Sequence, residues 1–144
     1  AMVVDEIQTG LGRTGAMWAA EAAGVTLGLE TGLAVAENRA LVEAIDSPRV
    51  QLYYDVGNAA RFGHDPAADL RDLADVLAPR IHLKDGTDGP ADSPLGDGRV
   101  DFAAVGDALA AIDYDEWLVF ETMYEDDPAA AMAANLRFAR EHFE

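Results

Sequence analysis

Residues 49–85 read RVQLYYDVGNAARFGHDPAADLRDLADVLAPRIHLKD, and this stretch decides the predicted fold. Its two ends, RVQLYYD (49–55) and RIHLKD (80–85), are short apolar, strand-like runs that each finish in a charged residue. Between them, PAADLRDLADVLA (66–78) repeats its apolar residues every three or four positions, which is typical of an amphipathic helix. A strand, a helix and a second strand in this order predict parallel strands joined by a right-handed crossover.

The same alternation extends in both directions from this stretch. Further strand-like runs lie at GVTLGLE (24–30) and EWLVFE (116–121), and helix-like segments lie at AENRALVEAI (36–45), DFAAVGDALAAI (101–112) and DPAAAMAANLRFAREHF (127–143). Asp101 and Asp127 stand where helix N-caps are expected, Pro128 suits a first helical position, and MVV at 2–4 suits a fifth strand. The pattern predicts an α/β fold with four to five parallel βα units. That is half of an eight-stranded (β/α)8 TIM barrel, or a small open sheet.

Composition limits the classes of partner. The chain has 27 acidic and 10 basic residues, a formal net charge of −17, and one lysine, Lys84. An acidic protein of this kind repels phosphate backbones, so we expect no nucleic-acid partner. The absence of cysteine excludes disulfides and thiolate metal sites. No leader and no apolar run of about 18 residues is present, which predicts a soluble cytoplasmic protein without a membrane partner.

One long irregular loop follows the third strand-like run. Its sequence, DGTDGPADSPLGDG (85–98), is rich in Gly, Pro and Asp, which disfavours regular structure. Long loops in compact domains are often functional, and this loop lies at the strand end where α/β folds bind ligands. We therefore expect the loop to border a binding site.

Potential metal ligands end the four strand-like runs. Glu30, Asp55 and Glu121 close the first, second and fourth runs, and His82 lies in the third. Each acid alone is more simply read as a helix cap or a solvated charge, and His82 alone as a hydrogen-bonded core residue. Parallel strands, however, bring their carboxyl ends to one edge, so the four side chains are expected to converge. Three carboxylates and one imidazole suit a divalent cation such as Mn²⁺, Mg²⁺, Co²⁺ or Zn²⁺.

Five short stretches carry a family resemblance. They are GVTLGLET, SPRVQLYYDVGN, RIHLKDG, LGDGRVDFAAV and WLVFET. In this order and spacing, residues 24–143 resemble the C-terminal half of the xylose isomerase-like TIM barrels, the sugar phosphate isomerase/epimerase superfamily. The resemblance places Glu30, Asp55, His82 and Glu121 on that family's metal ligands. It implies isomerisation or epimerisation of a keto sugar or sugar phosphate through an enediolate, with Glu30 and Glu121 also acting as the catalytic carboxylates.

Three further residues are predicted to contact the substrate. Asn58 stands where many epimerases of the superfamily carry histidine, and its amide can bond a sugar hydroxyl but cannot titrate. Lys84 and Asp85 are expected at the pocket rim, although Lys84 suits a salt bridge to a neighbouring acid equally well.

A second resemblance concerns the N-terminus. VDEIQTGLGRTGAMWAAE (4–21) resembles the pyridoxal-phosphate motif of class III aminotransferases, with Asp5 and Gln8 at its cofactor-facing positions. The lysine needed for a Schiff base is missing, because Lys84 belongs to HLKD. We therefore predict no cofactor there, and divide the chain into an aminotransferase-like segment (1–23, with the motif at about 2–21) and a half-barrel (24–144). Such a chimera is compatible with recombination, truncation or construction.

A half-barrel leaves two strand edges and an apolar interior face uncovered. We expect a homodimer or other homo-oligomer to cover them. The sequence leaves open whether the chain is an enzyme. The first alternative is a non-catalytic metal-binding or assembly module, and the second is a residual pyridoxal-phosphate-binding fragment.

Overall fold

The structure, a computed structural model, describes residues 23–87, 93–122 and 127–143. Strands and helices alternate along these ranges. The strands are β1 (Leu27–Leu29), β2 (Val50–Asp55), β3 (Leu77–Leu83) and β4 (Trp117–Phe120). The helices are α1 (Val35–Ile45), α2 (Val56–Arg61), α3 (Pro66–Asp72), α4 (Phe102–Ala111) and α5 (Pro128–Phe143), with a 3₁₀ turn at Ala74–Val76.

The four strands form one parallel sheet in the order β1-β2-β3-β4. Each new strand is added on the same side of the previous one, as in a barrel, and not on alternating sides of the first strand. This arrangement confirms the predicted α/β half-barrel. In the ladder Asp55 lies opposite His82, which brings the ends of the two central strands to the same level.

Aspartate side chains start four of the described helices, including α2, which Asp55 caps. The Asp101 carboxylate accepts the N–H of Ala104 at 3.0 Å, and the Asp127 carboxylate accepts that of Ala130 at 3.0 Å. These contacts confirm the two predicted N-caps, because they satisfy N–H groups that have no partner within the helix. Asp65 caps α3 in the same way. None of the described helices is both long and apolar enough to cross a bilayer.

The crossover between β2 and β3 differs from the prediction. The helix expected over 66–78 ends at Asp72, and β3 begins at Leu77. Leu73 and Leu77 are four residues apart, as on one face of a helix. Both are buried, however, because the chain crosses the core as it passes from the helix to the strand. The ladder register shifts between Leu52 and Tyr54, opposite the part of β3 that contains Pro79. Proline has no N–H to donate there.

The two faces of the sheet have different environments. Leu52 and Ile81 point to the helix side and are buried with apolar residues of α3 and α4, which form the core. The opposite face carries Tyr53, Arg80 and Trp117, and Trp117 is 70% exposed. In a closed barrel this second face would be the interior. Within the described residues the sheet therefore has one packed face and one open face.

Candidate metal centre

Four side chains meet at the carboxyl edge of the sheet. Asp55 is the last residue of β2 and His82 lies near the end of β3, while Glu30 and Glu121 directly follow β1 and β4. Each offers one ligand atom, and the four atoms lie within 4.8 Å of one another. The convergence predicted from the sequence is thus present among the described residues.

The spacing of these atoms is compatible with one shared cation. His82 Nδ1 lies 3.1 Å from Glu121 Oε2, 3.5 Å from Glu30 Oε2 and 3.8 Å from Asp55 Oδ2. Two ligand atoms at about 2.1 Å from one ion are separated by roughly 3.0 to 3.4 Å, depending on the angle between them. The three distances from His82 Nδ1 lie in or close to this range.

Three of these atoms lack a hydrogen-bond partner among the described residues. They are Asp55 Oδ2, His82 Nδ1 and Glu121 Oε2, and all three are buried. Buried polar atoms without partners are uncommon in folded proteins, and one explanation is an ion that the protein binds. Because the three atoms lie close together, a single cation could serve as the partner of all of them.

The other oxygen of each carboxylate is held by the protein. Asp55 Oδ1 accepts the backbone N–H of Asn58 at 2.7 Å, and Asn58 Nδ2 donates to Glu30 Oε1 at 3.0 Å. Lys84 Nζ donates to Glu121 Oε1 at 3.1 Å. Each acid therefore has one oxygen bound to the chain and one directed towards His82. This division orients all three carboxylates at a common point.

The cluster is electrostatically strained without a cation. Burial, followed by the nearby Glu121 carboxylate, raises the pKa of Asp55 to about 7, although the Asn58 N–H opposes the shift. Burial also works against ionisation of Glu121, but its contacts with Asp55 and Lys84 outweigh burial and hold its pKa below the usual range. At neutral pH Glu121 therefore carries its charge while Asp55 is close to its titration midpoint.

Tyr53 is a neighbour of the site that the sequence analysis missed. Its ring lies against that of His82, with the ring centroids 4.0 Å apart. Burial and nearby carboxylates raise the pKa of its hydroxyl, while Arg80 opposes them. Strand alternation could have identified it, because residues 53 and 55 of β2 share one face.

The predicted substrate residues fall in two groups. Asn58 and Lys84 contact the proposed ligands Glu30 and Glu121, so both lie at the cluster, and their contact with a substrate stays a prediction. Lys84 also makes the salt bridge that the sequence left open. Asp85 was expected at the pocket rim, and this placement is wrong because Asp85 is only 1% exposed.

The Asp85 carboxylate is occupied by its own loop. It accepts five backbone N–H groups at 2.9 to 3.2 Å, those of Gly86, Gly96, Gly98, Arg99 and Val100. A Cβ atom at Gly98 would overlap this carboxylate, so the loop passes as close as glycine allows. Asp85 therefore shapes the loop that follows β3.

Asp5 and Gln8 lie outside the described residues, as does the possible fifth strand at 2–4. His64 lies apart from the cluster, with Nε2 at 3.4 Å from the carbonyl oxygen of Gly32.

Comparison with known proteins identifies a matching family model, described as xylose isomerase-like TIM barrel, over residues 4–142. The match begins within the N-terminal segment and continues through the half-barrel. The comparisons therefore give no support to a separate aminotransferase-like fragment.

Two curated relatives are similar over most of the chain. The chain is 37% identical over 126 residues to 2-epi-5-epi-valiolone 7-phosphate 2-epimerase of Actinoplanes sp., a match that covers 84% of this chain and 46% of that protein. It is 31% identical over 109 residues to inosose dehydratase of Geobacillus kaustophilus, covering 63% of this chain and 34% of that protein. The chain thus spans less than half the length of these relatives.

Solved structures show the same relation. L-ribulose 3-epimerase matches with a TM-score of 0.63 and 29% identity, over 82% of this chain and 41% of that one. A xylose isomerase domain protein from Planctomyces limnophilus matches with a TM-score of 0.73 and 23% identity, over 85% and 48%. At 23% identity, the similarity to the Planctomyces limnophilus protein shows a shared fold only.

We predict that Asp55→Asn stabilises the metal-free protein. The amide oxygen can still accept the Asn58 N–H, but the buried charge is removed. Wild-type Asp55 holds its proton more tightly in the folded protein, where its pKa is about 7, than in the unfolded chain, where it has the ordinary pKa of 3.8. Wild-type stability therefore falls as pH rises from about 4 to about 7, and the variant's gain grows over that window to at most about 4 kcal/mol, at about 1.36 kcal/mol per pKa unit.

Urea unfolding with a chelator at several pH values measures this gain. Asp65→Asn is the matched control, because Asp65 also caps a helix but lies outside the cluster. A gain of the same size and pH dependence in both variants would contradict the explanation.

We also predict that Asp85→Asn loosens the loop after β3. The new amide NH₂ cannot accept the N–H groups that the lost oxygen served, so unfolding free energy should fall by about 2 to 4 kcal/mol. Asp97→Asn, in an exposed position of the same loop, should change it by less than about 0.5 kcal/mol. Denaturant unfolding combined with hydrogen exchange at residues 96–100 tests the difference, and equal protection in the two variants would refute it.

Proposed function

The chain belongs to the xylose isomerase-like TIM barrel family, and from this premise we propose that it binds a divalent cation and serves the isomerisation or epimerisation of a keto sugar or sugar phosphate. The observation that carries the proposal is the convergence of four ligand atoms within 4.8 Å. Glu30, Asp55, His82 and Glu121 would hold the cation.

The donor set narrows the metal to hard or borderline divalent ions. Three carboxylates and one imidazole suit Mn²⁺, Mg²⁺, Co²⁺ and Zn²⁺, and no thiolate is present to favour softer ions. Such a cation supplies stabilisation of the negative charge that develops on the carbonyl oxygen of a substrate.

Glu30 and Glu121 would move the proton. They follow the two outer strands of the sheet, with Asp55 and His82 between them. A substrate carbon in front of the cluster would have one carboxylate on each side, so one could remove its proton and the other could return one. Lys84 supports the ionised form of Glu121, which is the form that accepts a proton.

The relatives indicate the class of substrate. Their names describe a 2-epimerase of 2-epi-5-epi-valiolone 7-phosphate, a dehydratase of inosose and a 3-epimerase of L-ribulose. Removal of a proton beside a carbonyl group is a chemical step that epimerisation and dehydration of keto-polyols share. We propose a polyhydroxylated ketone for this chain, with Asn58 available to bond one of its hydroxyls.

A non-catalytic metal-binding or assembly module is the alternative. This chain spans less than half the length of its curated relatives, and the experiment below separates the two functions.

We predict that the purified chain binds Mn²⁺ and catalyses exchange of the proton beside the carbonyl of a ketose. Calorimetry measures the binding, and NMR in D₂O measures the exchange. Glu121→Gln should slow exchange by about 10²- to 10⁴-fold, the usual contribution of a general base. The control is Glu116→Gln, an exposed glutamate before the other end of β4, which should leave exchange unchanged.

The outcomes separate the alternatives. Metal binding without exchange favours the non-catalytic module. Failure to bind Mn²⁺, Mg²⁺, Co²⁺ or Zn²⁺ contradicts the proposed site.

We further propose that a second copy completes the barrel. Among the described strands, β1 and β4 each pair on one side only, and unpaired strand edges readily accept another strand. Placing β4 of each copy beside β1 of the other would give eight parallel strands and cover the exposed Trp117.

We predict a solution mass of about twice 15.3 kDa. Trp117→Glu places a charge on the inner face and should shift the mass to that of a monomer. Leu136→Glu changes a half-exposed leucine of α5, outside that face, and should leave the mass unchanged. Light scattering measures the three masses, and a monomeric wild type would overturn dimeric closure.

A further inference from the structure

An unusual feature links α1 and α5, the helices that follow the two outer strands. In each helix the single buried residue is an asparagine, Asn38 at 2% exposure and Asn135 at 7%. Asparagine is a poor helix former, and burying its amide costs free energy unless the amide is hydrogen-bonded. Both helices contain apolar residues that would bury more favourably. The contacts of the two amides therefore need an explanation.

Both amides bond a threonine that directly follows a proposed metal ligand. Asn38 Oδ1 accepts the hydroxyl of Thr31 at 2.6 Å, and its Nδ2 donates to the carbonyl oxygen of Leu33 at 2.9 Å. Asn135 Nδ2 donates to the Thr122 hydroxyl at 2.8 Å. The same Glu–Thr pair is thus tied to the following helix at both ends of the sheet.

The two Asn–Thr hydrogen bonds lie beside the ligands that the sheet itself supports least. Asp55 and His82 lie on β2 and β3, which have hydrogen-bonded neighbours on both sides. Glu30 and Glu121 follow β1 and β4, which contain three and four residues and pair on one side only. A ligand beyond the end of a short outer strand has less support from the ladder than one on a central strand.

The loop after β1 shows how the link acts. The Thr31 hydroxyl also accepts the N–H of Leu33 at 3.3 Å, so one side chain joins its own loop to α1. The backbone that leaves β1 is fixed at the residue next to Glu30. The Glu30 side chain is oriented separately, by Asn58.

We propose that Asn38 and Asn135 are positioning residues, which act through Thr31 and Thr122 to hold Glu30 and Glu121 at the spacing that a divalent cation requires. This inference rests on the proposed function. Partners of metal ligands that do not touch the metal commonly change metal affinity by about 10- to 100-fold when they are removed.

The test replaces each threonine by valine, which keeps the shape and removes the hydroxyl. Thr31→Val and Thr122→Val should each weaken Mn²⁺ binding by about 10- to 100-fold in calorimetry. Thr31→Ser and Thr122→Ser retain the hydroxyl and should bind within about threefold of wild type. Should the valine variants not fold, alanine replaces valine with the same expectation.

Tyr114→Phe is the matched control for losing a hydrogen bond elsewhere in the fold. It removes the bond from the Tyr114 hydroxyl to the carbonyl oxygen of Ala78, away from the cluster. It should lower thermal stability without changing Mn²⁺ affinity. Valine variants that lose stability but keep wild-type affinity would overturn the positioning role.

A second readout needs no metal. In crystal structures of the metal-free valine variants, the Glu30 or Glu121 carboxylate should be displaced by about 1 Å or more. A displacement of this size is enough to impair a preorganised site. Unchanged carboxylates would overturn the inference. If the wild-type chain binds no Mn²⁺, the proposed function fails, and these structures still decide whether the threonines position the two glutamates.

Discussion

The close approach of three carboxylates to one imidazole is the constraint on which the rest of the structure depends. Acids that share one site repel one another, and the chain relieves this partly through the raised pKa of Asp55 and the contact of Lys84 with Glu121. Hydrogen bonds from Asn58 and Lys84 hold one oxygen of each carboxylate, which keeps the other oxygens close to His82. In the proposed function, a bound divalent cation would relieve the repulsion that remains.

The scaffold supports the centre of the sheet and its edges by different means. At the centre, Asp55 is both a proposed ligand and the N-cap of α2, so the start of that helix depends on the same side chain as the site. Gly57 lets this turn pass close to the backbone of Lys84, where a Cβ atom would lie 2.7 Å from the carbonyl oxygen. At the edges, the helices contribute buried amides. The strand ladder and the start of α2 thus support the central part of the cluster, and the interiors of α1 and α5 support its two edges.

The carboxyl edge and the open face of the half-barrel have different parts in the proposed activity. The carboxyl edge carries the chemistry, whereas the open face of the sheet carries Tyr53, Arg80 and Trp117, which a complete barrel would enclose. Covering that face would exclude water from a substrate in front of Glu30 and Glu121. This would strengthen the electrostatic interactions on which proton transfer depends.

The sequence by itself determined the alternation of the four strands with α1, α3, α4 and α5, the caps at Asp101 and Asp127, and the four residues that converge, but not the short helix α2. These follow from local periodicity and from the rule that parallel strands end at one edge. Only the tertiary structure decided that α3 stops at Asp72, that Asp85 faces inward to its own loop, and that the buried residues of α1 and α5 are asparagines. The physical reason is that the sequence around a polar residue in a helix or loop looks the same whether water or a distant side chain forms its hydrogen bonds. Packing alone selects the partner.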